Sequence, residues 1–301
     1  MRGKRRNSPE FPDASAGTPE ERRERARQDF TFFRRAYFPH YCLVGGDSRL
    51  HEWLDTELPR MADAPEGVRL AIAAPRGEAK STFVSLFFVL WAVLTGRKHY
   101  ILIIADALEQ AASLLGAVKD ELEFNEALKR DFPGVGKGHV WNVGTVVTPG
   151  NVKIQALGAG KRMRGLRHGP YRPDLVILDD LENDENVAKP EQRDKLQDWL
   201  QKTVLNLGAA DGSMDVVYVG TILHYDSVLA RTLDKPTWQS KRFRSIVQWP
   251  ERLDLWDKWE AILHADGPVA ARAFYDLYQD DMERGAIVSW PAGRPLYQLM
   301  T

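Results

Sequence analysis

Short, almost uninterrupted apolar runs alternate along most of this chain with longer stretches of helical periodicity. Runs such as ILIIA and LVIL contain no alternating polar residues, as expected of strands buried on both faces. Strands separated by helices form a parallel sheet with helices packed on its faces. Six strands are predicted, at residues 68–74, 100–105, 152–157, 175–180, 215–221 and 242–248. Helical stretches fit between most of them, at residues 81–95, 107–130, 190–206 and 225–234. The pattern therefore predicts an α/β fold.

Composition says little about partners but excludes some kinds of site. The 301 residues include 41 Lys and Arg against 42 Asp and Glu, so the net charge of -1 gives no general attraction to nucleic acid or membranes. Any DNA-binding surface must therefore be local. A single cysteine, Cys42, excludes an internal disulfide framework and a thiolate zinc site. Neither a signal peptide nor a run near the roughly 18 apolar residues of a membrane span is found, so we expect a soluble, cytoplasmic protein.

Changes in composition divide the chain into four regions. Residues 1–30 are basic and poor in apolar side chains, and we expect a tail that is disordered in its first half. Aromatic and mixed segments at 31–62 predict an N-terminal helical cap. The alternating strands and helices occupy 63–250. A Trp-rich helical pattern at 251–301 predicts a small helical accessory subdomain.

A phosphate-binding loop, or P-loop, is predicted directly after the first strand. The apolar run VRLAIAA leads into a short polar loop and then an apolar helix, which is the context that a P-loop requires. Eight residues are assigned to nucleotide binding: Pro75, Arg76, Gly77, Glu78, Ala79, Lys80, Ser81 and Thr82. Backbone N–H groups would face the phosphates of ATP, Lys80 would neutralise the β and γ oxygens, and Ser81 would give its hydroxyl to Mg²⁺.

The loop departs from the strict pattern G-x-x-x-x-G-K-[ST]. Ala74 and Ala79 occupy the two glycine positions, and Gly77 lies inside the loop. An alternative interpretation is a lysine and two hydroxyl residues at the start of an ordinary helix, where Ser and Thr are favoured. Arg76 is open to two interpretations, a charge that reaches the γ-phosphate or a solvated loop residue.

A second group of polar residues follows the strand at 175–180. The sequence DLVILDDLEND places carboxylates directly after a buried strand, as in a Walker B element. A carboxylate in this position can hold Mg²⁺ through water, and the next one can polarise the attacking water. We assign Asp179 to the metal and Asp180 to catalysis, with Glu182 as the rival base. A polar turn that opens a loop is the alternative.

Two further elements could couple the nucleotide to other molecules. Thr221 ends the strand at 215–221 and could sense the γ-phosphate, although a glycine turn after a core strand explains the same residues. The segment GAGKRMRGLRHGPYR at 158–172 carries five Lys and Arg and no acid. Such a loop can contact DNA phosphates or lend an arginine to a neighbour's nucleotide, and a solvated loop is the alternative. We interpret His224, in the turn after Thr221, as structural.

In order and spacing, the segments APRGEAKST, RMRGLRHG, RPDLVILDDLENDEN and VYVGTILHYDS resemble the large terminase subunit of tailed bacteriophages. The resemblance covers about residues 30–290, and the form PRG-x-A-K-S-T is typical of that family. It implies a P-loop NTPase of the ASCE or RecA-like type that uses ATP and Mg²⁺ to drive double-stranded DNA into procapsids. It also implies an arginine finger, carried onto Arg76 or, in trans, onto the loop from Arg162 to Arg167, where Arg164 is our candidate.

The same resemblance implies partners. The subunits would form a homo-oligomeric ring, expected to be a pentamer, on the portal protein of the procapsid. They would act on double-stranded DNA, with the small terminase subunit, in the host cytoplasm and without a membrane. Full large terminases continue into a metal-dependent nuclease domain. Nothing after Thr221 offers three acids on successive strands, so we expect no nuclease activity from this chain.

Two other functions are kept as alternatives. A helicase or other DNA-remodelling ATPase would share the nucleotide site, but no second RecA-like core is recognised in the sequence. A nonhydrolysing DNA-binding module would carry a decayed P-loop, and the intact Lys80, Asp179 and Asp180 argue against it. Measurement of ATP turnover separates this second alternative from the two ATPases.

Overall fold

The computed structural model describes residues 16–42 and 44–301. The first half of the tail, for which disorder is predicted, falls within residues 1–15 and so lies outside the described residues. In the two described ranges, no helix is long and apolar enough to cross a membrane.

The described chain forms two compact units. The first contains residues 16–42 and 51–242, and the second contains residues 44–50 and 243–301. The second unit thus begins before residue 251, where the sequence pattern places the start of the accessory subdomain. The difference arises because the strand predicted at the end of the first unit is divided between the two units.

A sheet of eight described strands forms the centre of the first unit. The strands are β1 (Arg69–Ala73), β2 (Tyr100–Ala105), β3 (Val140–Trp141), β4 (Thr145–Val147), β5 (Lys153–Gly158), β6 (Leu175–Asp179), β7 (Asp215–Gly220) and β8 (Gln239–Arg242). Their order across the sheet is β3-β4-β5-β2-β6-β7-β1-β8. All pairs from β5 to β8 are parallel, and β4 pairs antiparallel with both β3 and β5. The predicted α/β fold with a mostly parallel sheet is confirmed.

The order of the strands decides which loops meet at one edge of the sheet. Strand β7 pairs with both β1 and β6, so it lies between the strand that leads into the predicted P-loop and the strand that ends in Asp179. Parallel strands present their carboxyl ends at the same edge, where ligands of open α/β sheets bind. The three loops after β1, β6 and β7 are therefore neighbours.

Helices cover both faces of this sheet. Up to residue 242 they are α1 (Pro19–Gln28), α2 (Phe30–Tyr37), α3 (Arg49–Ala62), α4 (Val89–Leu94), α5 (Leu108–Phe124), α6 (Glu126–Asp131), α7 (Asp184–Ala188), α8 (Pro190–Lys202) and α9 (Val228–Leu233). Wider, π-helical turns at Thr82–Phe88 precede α4. On one face, Leu200 of α8 and Val228 of α9 share a buried cluster with Leu102 and Val176 of the sheet. Helix α5 packs on β2, β5 and the π-helical turns.

Helix α1 lies within residues 1–30, which the sequence pattern assigns to the tail. The Thr18 hydroxyl accepts a hydrogen bond from the Glu21 N–H, and the Glu21 carboxylate accepts one from the Thr18 N–H. The buried side chain of Arg22 donates from Nε to Asp131 Oδ2 at 2.7 Å. Composition could not indicate this helix, because an ion pair with a residue far along the chain, rather than an apolar stripe, holds it in place.

The single strand predicted at 242–248 is divided in the structure between two short strands. Strand β8 ends at Arg242, and the apolar part of the run forms β9 (Ile246–Gln248), which pairs antiparallel with β10 (Ile287–Val288) in the second unit. All four residues of β8 are exposed at the edge of the sheet. An edge strand of this composition has no apolar pattern that sequence analysis could detect.

The second unit is mainly helical, in agreement with the pattern of its sequence. After β9 it contains α10 (Leu253–Asp266), α11 (Pro268–Glu283), β10 and α12 (Leu296–Met300). Its core is a cluster rich in aromatic residues that includes Trp256, Trp259 and Tyr275. The Trp256 indole N–H donates to the Met282 carbonyl at 2.8 Å, so the polar atom of this buried ring is satisfied.

Candidate nucleotide-binding site

The loop that follows β1 turns sharply at two residues. Gly77 and Ala79 have φ angles of 82° and 54°, in the left-handed region. Turns of this kind can direct successive backbone N–H groups toward one point, which suits an anion. Ala79 stands at the second glycine position of the strict P-loop pattern, and a non-glycine residue in this conformation costs about 1 kcal/mol. The left-handed turn is therefore present although the residue is not glycine.

Lys80 lies at the centre of the site. Its side chain is buried, and Nζ lies 3.1 Å from Thr221 Oγ1 and 3.3 Å from Asp180 Oδ2. The Thr221 hydroxyl also donates to the Ala74 carbonyl at 3.3 Å. The structure thus brings together the predicted lysine, catalytic acid and sensor, which come from the three neighbouring loops.

The other assigned loop residues differ in exposure. Pro75 and Thr82 are half-buried, and Glu78 is buried. The Glu78 carbonyl accepts a hydrogen bond from His51 Nε2 at 3.0 Å, which joins the loop to α3. Arg76 is exposed, and its guanidinium lies 4.0 Å from Asp184 Oδ2. Because the Arg76 side chain is in solvent, it can move to contact an anion bound at the loop without disrupting the core.

Asp179 ends β6 and is almost fully buried. Its two carboxylate oxygens accept hydrogen bonds from Ser81 Oγ at 2.9 Å and from Ser85 Oγ at 2.5 Å. Burial raises the pKa of Asp179 to about 6, the Ser85 hydrogen bond opposes this rise, and the neighbouring charge of Asp180 adds to it. The sequence analysis does not identify Ser85, although this residue follows Ser81 by one helical turn and so faces the same side.

The residues fit a magnesium ion bound together with a nucleotide. No group of three or more His, Cys, Asp or Glu in the described residues could hold a metal ion. Mg²⁺ does not need such a group, because it keeps several waters and takes one or two protein ligands along with substrate phosphates. The Ser81 hydroxyl and the Asp179 carboxylate, which already contact each other, would supply those protein oxygens.

Asp180 differs from Asp179 in exposure and in backbone conformation. Its side chain is 32% exposed, against 1% for the whole of Asp179, so it can contact both solvent and a bound substrate. Its φ of 45° turns the chain sharply after β6. Asp180 Oδ1 accepts a hydrogen bond from the Thr221 N–H at 3.0 Å. The position favours Asp180 as the carboxylate that meets an attacking water.

Glu182, the rival base in the sequence, has a different position. Its Oε1 accepts from the Val228 N–H at 2.7 Å and its Oε2 from the Leu229 N–H at 3.0 Å, at the start of α9. The Tyr218 hydroxyl donates to the same Oε2 at 3.2 Å. Both oxygens are thus occupied, and the negative charge lies at the positive end of a helix dipole. The geometry gives Glu182 a structural role and does not support it as the base.

We expect Asp180→Asn and Glu182→Gln to affect different quantities. Asp180→Asn should lower kcat for ATP hydrolysis by about 100-fold, because a general base is lost, with little change in stability. Glu182→Gln should lower the free energy of unfolding by about 1–3 kcal/mol, because an amide N–H₂ meets the N–H groups of α9. Turnover assays and urea unfolding measure the two effects.

The exposed Glu66→Gln, three residues before β1 and outside any helix, is the matched control and should change neither quantity. Loss of turnover by a Glu182→Gln protein of unchanged stability would make Glu182 the base instead.

The basic loop at 158–172 packs against the core of the first unit, but its charged side chains are exposed. Met163 is buried in the α8–α9 side of the core, and the Trp199 indole N–H donates to the Lys161 carbonyl at 2.9 Å. Its five cations are exposed and form no ion pair among the described residues; they are Lys161, Arg162, Arg164, Arg167 and Arg172. Among the described residues, Arg164 forms no ion pair with the Asp180 or Asp184 carboxylates near Lys80 and Arg76.

His224 lies in the turn after Thr221, as the sequence predicts. Its Nδ1 accepts a hydrogen bond from the Asp226 N–H at 3.0 Å, and its ring contacts Tyr225 with centroids 4.3 Å apart. Asp226 in turn binds Arg193 and Arg231. These contacts stabilise the turn and agree with a structural histidine.

Comparison with protein-family models and with curated protein sequences gives no match for this chain.

Proposed function

We propose that this chain is a P-loop ATPase that binds Mg-ATP at the carboxyl edge of β1, β6 and β7 and hydrolyses it. The observation that carries the proposal is the position of Lys80 Nζ, within 3.3 Å of both Asp180 and Thr221, beside a loop that turns through the left-handed region. A cation, two carboxylates and the amides of a sharply turning loop at one sheet edge are the parts needed to bind a phosphate chain and its metal.

The proposed residues have separate tasks. The loop amides and Lys80 bind the phosphates. Ser81 and Asp179 would hold a magnesium ion, which when bound would neutralise charge on the transferred phosphoryl group. Asp180 orients and polarises the attacking water. Arg76, exposed at the rim of the loop, approaches the γ-phosphate from the same subunit. Thr221 joins Lys80 to Asp180 and responds to the γ-phosphate.

We further propose that ATP hydrolysis drives translocation of double-stranded DNA into a viral procapsid. The support for this is the order and spacing of the four sequence segments that resemble large terminases, together with the exposed cations of the basic loop. Five cations without an acidic partner among the described residues form a surface for phosphate groups of DNA. Arg164 is also our candidate for a finger that enters a neighbouring subunit's site in a ring.

The experiment is to measure the steady-state ATPase rate with no addition, with linear double-stranded DNA, and with DNA and portal-bearing procapsids. A packaging motor is expected to be stimulated most strongly by DNA and procapsids together. Stimulation by DNA alone, with no response to procapsids, would favour a helicase-like or DNA-remodelling ATPase. If no magnesium-dependent turnover is measured under any of the three conditions, a nonhydrolysing DNA-binding module becomes the better interpretation.

A further inference from the structure

Asp106, which follows β2, contacts the loop after β6. Its Oδ2 accepts a hydrogen bond from Asn183 Nδ2 at 2.7 Å, and its Oδ1 accepts one from Asn186 Nδ2 at 2.9 Å. Strands β2 and β6 are neighbours, so a carboxylate at the end of one can reach residues that follow the other. Residues 180–186, named the acidic loop, are therefore held to the edge of the sheet by Asp106.

The hydrogen bonds of the two asparagines require a residue with two acceptor oxygens at position 106. Asn183 Oδ1 accepts from the Asn186 N–H at 2.7 Å, and Asn186 Oδ1 accepts from the Asn183 N–H at 3.0 Å, so both amide oxygens serve the start of α7. The amide N–H₂ groups then need an acceptor. A carboxylate offers two acceptor oxygens and no donor, which matches two N–H₂ groups.

The rest of the acidic loop connects this contact to the proposed active site. Asp180 begins the loop, Glu182 is fixed on α9, and Asp184 lies 4.0 Å from Arg76. Only a few residues separate these positions from the two asparagines. A shift of the asparagines would therefore move both Asp180 and the partner of Arg76.

We propose that Asp106 is a positioning residue for the proposed ATPase: it holds the acidic loop so that Asp180 and Asp184 face Lys80 and Arg76. This inference rests on the proposed function, because Asp106 would act only through the residues assigned to ATP hydrolysis. Displacement of a catalytic group by about 1 Å can reduce a rate by about 100-fold. Loss of the contact should thus affect kcat, while the P-loop continues to bind Mg-ATP.

An exchange of charge between two positions gives a sharp test. Asp106→Asn puts an N–H₂ group against the two asparagine amides, and Asn183→Asp puts a second carboxylate against Asp106. Each single variant should lower kcat by about 10- to 100-fold without a matching change in Mg-ATP affinity.

The variant that combines Asp106→Asn with Asn183→Asp should recover most of the lost rate. The new amide at position 106 can donate to the new carboxylate at position 183, and its oxygen can accept from Asn186. The start of α7 is preserved as well, because an aspartate caps a helix as well as an asparagine does.

Hydrogen–deuterium exchange supplies a readout that does not depend on activity. Peptides that cover residues 180–188 should exchange faster in Asp106→Asn and return toward the wild-type rate in the double variant. Glu109→Gln is the matched control, because Glu109 is an exposed acid three residues further along the chain, and it should change neither kcat nor exchange.

The outcomes separate this inference from the proposed function. If the wild-type chain hydrolyses no ATP, the proposed function fails, and exchange at 180–188 alone decides the positioning role. Unchanged exchange in Asp106→Asn, or a double variant no better than either single variant, overturns the assignment of Asp106. Faster exchange throughout the first unit would also overturn it, because it would mean general loss of stability.

Discussion

Replacement of Lys80 by alanine is expected to reduce ATP turnover by about 100- to 1,000-fold while the chain stays folded. The ammonium group is the cation of the site that faces both Asp180 and Thr221, and loss of one preorganised charge that stabilises a transition state has an effect of this size. The stability change should be small, about 1 kcal/mol or less, because Asp180 is partly exposed and its charge can be solvated.

Phosphate release and thermal unfolding measure the two quantities on the same preparation. Lys195→Ala is the control, because Lys195 is an exposed lysine on α8 that forms no ion pair within the described chain. It should keep both the wild-type rate and the wild-type stability. Normal turnover by a folded Lys80→Ala protein would show that the loop after β1 is not the nucleotide site.

Asp179→Asn is expected to abolish magnesium-dependent hydrolysis and to make the protein more stable at pH 8. Burial raises the pKa of Asp179 to about 6 from an ordinary value of 3.8, so the folded protein holds this proton more tightly than the unfolded chain. The stabilising contribution of the protonated group is complete below about pH 4 and is lost as pH rises through about 6. The charged carboxylate then costs roughly 3 kcal/mol, which the neutral amide avoids.

Urea unfolding at a series of pH values, without Mg²⁺ or nucleotide, measures this effect. The two proteins should have similar stability near pH 4, and the variant should become the more stable one as pH rises past about 6. Asp120→Asn, an exposed carboxylate on α5, provides the comparison and should show no such divergence. A variant that is less stable than wild type at pH 8 would contradict the raised pKa of Asp179. A variant that retains full turnover with Mg²⁺ would contradict the assignment of Asp179 to the metal.

The sequence predicts the interior of the sheet much better than its edges. Five of the six predicted strands correspond to β1, β2, β5, β6 and β7. The apolar runs of β1, β2, β6 and β7 follow from burial on both faces, whereas β5 alternates buried and half-buried residues. The hairpin of β3 and β4 has strands of only two and three residues, too short to show a pattern, and β8 is entirely exposed. At an edge, pairing with a neighbouring strand rather than burial defines the element, and that pairing depends on distant residues.

In the candidate site too, the sequence predicts some positions and not others. The proximity of Lys80, Asp180 and Thr221 could be predicted, since each follows a parallel strand and such residues share one edge. The role of Glu182 could not, because it depends on where the first N–H groups of α9 lie. Asp106 has no sequence signal of its own, as a single acid after a strand occurs in many proteins.

The contact of Glu182 with α9 also suggests a route for transmission of force. It joins the acidic loop to the start of a helix that is followed along the chain by β8, the exposed edge strand. Packed cores change between discrete arrangements rather than deform continuously, so a sub-ångström shift beside the phosphate can displace a whole helix. In the proposed motor, α9 would carry the displacement produced by hydrolysis from the candidate site to the surface at β8.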